Sequence, residues 1–283
     1  YVSTHLDSPF FGQLAVARTG RLLLVPNTLD LGCPDPVTGL APDLQQVLPL
    51  GVIHEAARIG HWIAENAKTT RAFLKRVDQV TPLSQPLQAL SIQELPRPPK
   101  GGKGEKGDQG MGASAQGAML NTLLAPAKAG HDVGLISEAG LPGVADPGAA
   151  VVQAAHKAGI AVVPLSGPSS LVLALAGSGL HGQSFAFVGY LPTDASQRAQ
   201  RIRELELLSR KAHQTQLVIE TPYRNPALWQ ALLQHLQPQT LLNVSCGLTL
   251  SQGFTLTDTV ARWRQRELTL PTDVPAVFAW LSA

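Results

Sequence analysis

The chain has 283 residues, of which 44% are hydrophobic and 15% charged, and its formal net charge is +2. A chain of this length and composition can bury a large core and favours two domains over one, while so small a net charge excludes a protein that grips nucleic acid by bulk electrostatics, so that any RNA contact has to be local. Cys33 and Cys246 are the only cysteines and lack metal-ligand spacing or a disulfide framework, which points to a reducing cytoplasm, and no stretch is apolar for long enough to span a bilayer.

Residues 1–20 carry neither the charged start and long apolar run of a targeting segment nor a clear helix or strand pattern, and read as a poorly ordered leader. Arg21 to Val25 form a strand candidate that ends in a proline turn at Pro26. Residues 48–53 read as a second strand broken by Gly51, and residues 55–77, with Ala56, Ile59, Ile63, Ala67, Phe73 and Leu74 at helical spacing, as one or two helices. Residues 96–117 combine glycine, proline and lysine with almost no apolar content, so they are expected to be a mobile surface insertion. Arg97, Lys100, Lys103 and Lys106 would suit RNA phosphates, although a solvated insertion is the simpler reading.

The most informative stretch is 132–170. Val133 to Ile136 form a short apolar run that opens into Ser137, Glu138, Ala139 and Gly140, the pattern of a buried strand followed by a loop. Asp146, Pro147 and Gly148 then supply a side-chain cap and a proline at the first helical position, a helix runs to about Ala158, Gly159 stops it, and residues 160–164 form another strand. Strand, loop, helix and strand imply a right-handed crossover in a parallel sheet, and the loop at the carboxyl end of such a strand is where open α/β sheets bind small ligands. Ala139, Gly140 and Gly143 put little bulk in the way of a ligand approaching the backbone, although such a loop also occurs as a plain connection. Farther on, residues 168–177 read as a helix, 183–191 as a strand, 195–212 as an exposed helix and 216–220 as a strand. A helix capped by Asn225 and Pro226 follows, then strands at 241–246 and 274–281. No Walker phosphate loop, dinucleotide fingerprint or metal cluster is present, which leaves nucleotide hydrolysis, hydride transfer and metal chemistry without support.

The run Leu135-Ile136-Ser137-Glu138-Ala139-Gly140-Leu141-Pro142, followed by Asp146-Pro147-Gly148, by Gly167-Pro168-Ser169 and by Gly189-Tyr190-Leu191-Pro192, resembles the tetrapyrrole methylase superfamily. Within it the likeness is nearest to the family that methylates the 2′-hydroxyl of a cytidine in small-subunit ribosomal RNA. The resemblance implies an α/β fold of two tandem domains, residues 21–164 with a mostly parallel sheet and 165–283 with a mixed one, with a cofactor cleft between them. It also implies S-adenosylmethionine as cofactor, ribosomal RNA or the small ribosomal subunit as partner, and a homodimer. By motif matching, Pro26, Ser137, Glu138, Ala139, Gly140, Leu141, Pro142 and Val144, with Ser169 and Ser170, would hold the cofactor from the first domain. Leu248, Thr249, Pro275 and Ala276 would close over it from the second. Glu55 and Glu220 stand where a general base is expected, and Arg58, Tyr223 and Arg224 where substrate is met.

The chain departs from the family pattern in several places. Pro26-Asn27-Thr28-Leu29-Asp30-Leu31-Gly32 stand where the family has a P-x-P-I-G-N-L-type loop, keeping the first proline but losing the glycine-asparagine pair, Glu55-Ala56-Ala57-Arg58 keep only the ends of an E-D-T-R motif, and Tyr223 replaces a histidine. Leu248-Thr249 are all that remains of an R-E-L-T-K motif. These departures leave two alternatives open: methyl transfer to a tetrapyrrole or other small molecule, and a paralogue that binds cofactor or RNA without catalysing transfer.

Overall fold

Leu22 and Leu23 in the first strand, β1 (Arg21–Leu24), are wholly buried although they point to opposite faces, as a strand in the middle of a parallel sheet requires. In this computed structural model, which describes residues 19–32, 39, 42–96 and 113–282, β1 is joined by β2 (His61–Ala64), β3 (Ser91–Glu94), β4 (Val133–Ile136) and β5 (Ala161–Pro164). Their order is β3-β2-β4-β1-β5 and every pair is parallel. Leu23 packs with α1 (Leu50–Arg58) and α2 (Ala67–Val80) on one face. Leu22 packs with α3 (Ala113–Leu123), α4 (Ala125–Lys128) and α5 (Ala149–Lys157) on the other. Gly134 is required in β4 because a Cβ there would lie 2.7 Å from the ring of Trp62, which fills the core beside it.

The second sheet contains β6 (Phe185–Phe187), β7 (Thr215–Glu220), β8 (Leu241–Cys246), β9 (Phe254–Thr259) and β10 (Ala276–Leu281) in the order β6-β7-β10-β8-β9. Only β6 and β7 run parallel, so this sheet is mixed. The apolar helix α6 (Ser170–Ser178) covers one face through Leu171, Ala174 and Leu175. The other face carries α7 (Ala195–Ala212), α8 (Asn225–His235) and α9 (Val260–Trp263). The expected α/β class, with one parallel and one mixed sheet, is the architecture found.

Several expectations need correction. Residues 48–53 are not a strand: Pro49 opens α1, which buries Val52, Ile53, Ala56 and Ala57 on one helical face. Residues 55–77 are not continuous helix either, since β2 lies between α1 and α2 in the middle of the sheet. Only Phe185–Phe187 of residues 183–191 is strand, and residues 113–117 at the end of the predicted insertion begin α3. Asp146 does not cap α5, whose N-cap is Gly148 at φ 133° with no side-chain hydrogen bond. Asn225 does not cap α8; its Nδ2 donates instead to the Val274 carbonyl at 2.9 Å and so ties the approach to β10. Residues 1–18 of the predicted leader, residues 97–112 of the insertion and Cys33 lie outside the described residues. Among those described, no helix is long and apolar enough to cross a membrane.

Candidate active site

The register brings the carboxyl ends of β1, β2 and β4 level, with Leu24 beside Leu135 and Ala64 beside Ile136. The loops that leave these strands are then tied together. Asn27 and Gly140 exchange two backbone hydrogen bonds, of 2.9 and 3.1 Å, and Asn27 Nδ2 donates to the Ser137 and Glu138 carbonyls at 3.1 and 3.0 Å. The rest of the loop after β1 is anchored from beneath by Asp30, which accepts from the Thr28 hydroxyl at 2.9 Å, the Gly32 amide at 2.8 Å and Arg76 Nη2 at 2.9 Å. Beyond β4, the Glu138 amide donates to Glu65 Oε2 at 3.0 Å, and the Glu138 carboxylate accepts from Asn66 Nδ2 at 3.0 Å. Asn66 also caps α2, so these bonds position the Glu138 loop against a helix end.

Opposite these loops, Ala276 at the start of β10 pairs with Glu220 at the end of β7 and with Cys246 at the end of β8. A cleft of about 430 Å³ lies between the two sets of loops, within the range of small-molecule sites. The predicted residues Glu138, Ala139, Gly140, Leu141 and Val144 line it, as do Ser169 and Ser170 at the start of α6. From the second sheet come Leu248, Pro275, Ala276 and Glu220. Pro26, Ser137, Pro142 and Thr249 do not line it: Pro26 packs against Gly167, where a Cβ would come within 2.2 Å, and Ser137 is buried with its hydroxyl unpartnered.

Tyr223 and Arg224 also lie outside the lining. Arg224 pairs with Glu220 at 2.7 Å, and its guanidinium stands 5.4 Å from the ring centre of Tyr223, which is 70% exposed. Glu55 and Arg58 are far from this constellation. Glu55 pairs with Arg21 at 3.5 Å and with Arg58 at 3.6 Å. Arg21 begins β1, so both belong to the amino edge of the sheet whereas the cleft is at its carboxyl edge.

The structure also brings in residues that motif matching did not: Leu29 and Leu31 from the loop after β1, Glu65 after β2, Asp146, and Tyr190 from the Gly-Tyr-Leu-Pro segment. Gly189 at φ 74° makes the turn that ends β6 and delivers Tyr190. Four carboxylates, Glu65, Glu138, Asp146 and Glu220, therefore share one cleft. Burial first, and then the charges of Glu65 and Glu138, push the Asp146 carboxyl up to about 7. Burial, Asp146 and Glu220 likewise raise the Tyr190 hydroxyl, against the opposing pull of Arg224.

The Asp146 shift has a sign that a stability measurement can read. A carboxyl whose folded pKa is raised contributes stability that is full below its ordinary value and is lost as pH rises toward about 7. Asp146→Asn is therefore expected to gain stability over the wild-type chain as pH goes from 5 to 8, by about 1 kcal/mol once solvent screening of a partly exposed group is discounted. Urea midpoints of both proteins at the two pH values check this.

A family model described as Tetrapyrrole (Corrin/Porphyrin) Methylases matches residues 52–252, more than half of the chain. A Halalkalibacterium halodurans protein named Ribosomal RNA small subunit methyltransferase I is 40% identical over 95 residues, which cover 34% of this chain and 32% of that one. A Synechocystis protein of the same name is 36% identical over 127 residues, covering 45% and 44%. The matched stretches thus span 32% and 44% of these relatives' length, less than half in each case. A solved uroporphyrin-III-C-methyltransferase from Thermus thermophilus superposes with a TM-score of 0.47 at 18% identity, covering 93% of this chain and 92% of that one.

Proposed function

Because the chain belongs to the tetrapyrrole methylase family, we propose that it transfers a methyl group from S-adenosylmethionine, held in the cleft between the sheets, to a ribose 2′-hydroxyl of small-subunit ribosomal RNA. Residues 21–164 and 165–283 are, in this reading, the two domains that meet at the cofactor, and the working unit is a homodimer in the cytoplasm.

The observation that carries the proposal is the cleft itself, in which small residues leave peptide groups open beside a surplus of negative charge. S-adenosylmethionine supplies a methyl carbon made electrophilic by a sulfonium. The lining fits such a molecule. Glu65, Glu138 and Glu220 give the cleft a potential that favours a cation. Leu29, Leu141, Ile219 and Leu248 offer apolar surface for an adenine, and the backbone at Ala139 and Gly140 offers hydrogen-bonding groups at its edge. The free amino end of α6, with Ser169 at its N-cap and no side-chain bond there, suits a carboxylate. The remaining task of the protein is to align the acceptor oxygen with the methyl carbon, and alignment in well-oriented systems reaches effective molarities of about 10⁵ M or more.

The naming of the relatives supports ribosomal RNA as acceptor. The same four carboxylates favour a second reading, since they would repel a polyanion and suit a small cationic or neutral acceptor. Incubation with radiolabelled methyl donor and undermethylated small ribosomal subunits tests both. Label in the RNA approaching one methyl group per subunit is the expected result. Label only in added small molecules would favour the second reading, and tight cofactor binding without any transfer would mean a binding paralogue. A solution mass equal to one chain would exclude the homodimer.

A further inference from the structure

Of the four carboxylates in the cleft, three are already engaged. Glu65 accepts from the Glu138 amide at 3.0 Å and Glu138 accepts from Asn66 at 3.0 Å. Glu220 accepts from the Thr221 amide at 2.7 Å and from Arg224 Nε at 2.9 Å, besides its ion pair with Arg224 Nη2. Asp146 differs. Among the described residues its carboxyl has no hydrogen-bond donor and no cationic partner.

The position of Asp146 comes from an unusual turn. Ala145 precedes it at φ 64°, a left-handed conformation that an L side chain seldom adopts, and Gly148 follows at φ 133°. The groups that face it arrive from every wall: Glu65 from the end of β2, Glu138 from the loop after β4, and Tyr190 from the loop after β6. Glu220 and Arg224 act on Tyr190 and not on Asp146. Nothing in that set stabilises an ionised Asp146, and the two nearest charges oppose it.

We infer that Asp146 is the catalytic base of the transfer, taking the proton from the acceptor hydroxyl as that oxygen attacks the methyl carbon. The inference rests on the methyltransferase reading above. The acceptor O–H bond breaks and its proton goes to an Asp146 carboxylate oxygen, the oxygen's electron pair forms the new O–C bond, and the C–S pair stays with sulfur. A carboxyl that titrates close to neutrality combines an appreciable ionised fraction with more basicity than an ordinary aspartate. The arrival of a sulfonium in the cleft also favours its ionised form, so that cofactor binding arms the base.

That coupling gives a readout independent of turnover. Calorimetric titration of S-adenosylmethionine at pH 7, repeated in buffers of different ionisation enthalpy, counts the protons released on binding. The wild-type chain is expected to release up to about half a proton more than Asp146→Asn, the protonated share of a group with a pKa near 7. With undermethylated small ribosomal subunits, Asp146→Asn should lose about a hundredfold in kcat together with the acidic limb of the pH profile, and Asp146→Glu should keep that limb. By the same linkage the cofactor Kd of Asp146→Asn at pH 7 should rise by about threefold to tenfold, up to about 1.4 kcal/mol.

Equal proton counts for the two chains would overturn the inference and leave the proposed activity standing. So would an Asp146→Asn variant that binds cofactor poorly but keeps the wild-type pH profile, since Asp146 would then be a cofactor ligand. No binding heat from the wild-type chain would overturn the activity itself.

Discussion

Replacing Arg76 by methionine is expected to lower the unfolding free energy by about 3–5 kcal/mol, the range for removing one partner of a buried ion pair. The Asp30 side chain is 3% exposed and that of Arg76 15%, and they meet at 2.9 Å. Arg76 also donates to the Pro42 carbonyl at 2.7 Å, so its loss frees a second stretch of irregular backbone. The deleted partner leaves the buried Asp30 carboxylate with the Thr28 hydroxyl and the Gly32 amide as its remaining donors among the described residues. The consequence reaches the cleft, because Leu29 and Leu31 flank Asp30 and form one wall. Cofactor affinity should therefore fall along with stability. Replacing Asp30 by leucine in the same chain is expected to recover a large part of the loss, since an apolar pair leaves no charge behind. Urea denaturation of the wild type, both single variants and the double variant measures the coupling, and additive losses would mean that the pair is not what holds the loop.

The parts of this architecture that local pattern reveals are those whose burial is local too. Val133 to Ile136 is legible as a buried strand because all four positions are apolar or glycine and all are buried. Residues 195–212 coincide with α7, where a run rich in charge faces solvent and Asp194 accepts from the Gln197 amide to start the helix. β2 was hidden for the opposite reason. Ile59, Ile63 and Ala67 sit four residues apart and continue the helical phase of α1 into α2, so only the sheet, which pairs Trp62 with Gly134, shows that the chain is extended there. β9 was missed because an edge strand that reads Phe-Thr-Leu-Thr-Asp-Thr needs one pairing partner and little apolar content.

The cleft was legible by half for the same kind of reason. The loop after β4 announces itself in its small residues, and the family resemblance carried Ser169, Leu248, Pro275 and Ala276 to the opposite walls. Glu55 and Arg58 were misplaced because matching a motif by its ends ignores which edge of the sheet the intervening helix reaches. Asp146 was misread because aspartate before proline and glycine is the local signature of a helix cap. What distinguishes it is the company of Glu65 and Glu138, and that neighbourhood exists only once β2 and β4 are paired. A single chain without relatives aligned to it contains no local signal for such a meeting.

Substituting valine for Gly140 is expected to abolish measurable S-adenosylmethionine binding, a loss of at least a hundredfold or about 3 kcal/mol, in a chain that still folds. Gly140 has φ 65°, where a β-branched residue is strained by about 1–3 kcal/mol. A Cβ there would stand 3.4 Å from Leu29 Cδ2 and 3.6 Å from the Pro168 carbonyl oxygen, and the two further methyl groups of valine have to enter the same space. Three parts of the cleft meet at that point: the Leu29 loop, the entry to α6 and the peptide groups around Gly140, which are bonded to Asn27. Gly159→Ala separates backbone strain from cleft geometry. Gly159 has almost the same conformation, φ 69°, but its Cβ would meet nothing within 4 Å and it lies at the far edge of the sheet, before β5. That variant should lose about 1 kcal/mol of stability and none of its cofactor affinity. Calorimetry on both variants decides the matter. Wild-type affinity in Gly140→Val would move the donor out of this cleft altogether, because Gly140, Leu29 and the entry to α6 all belong to its lining.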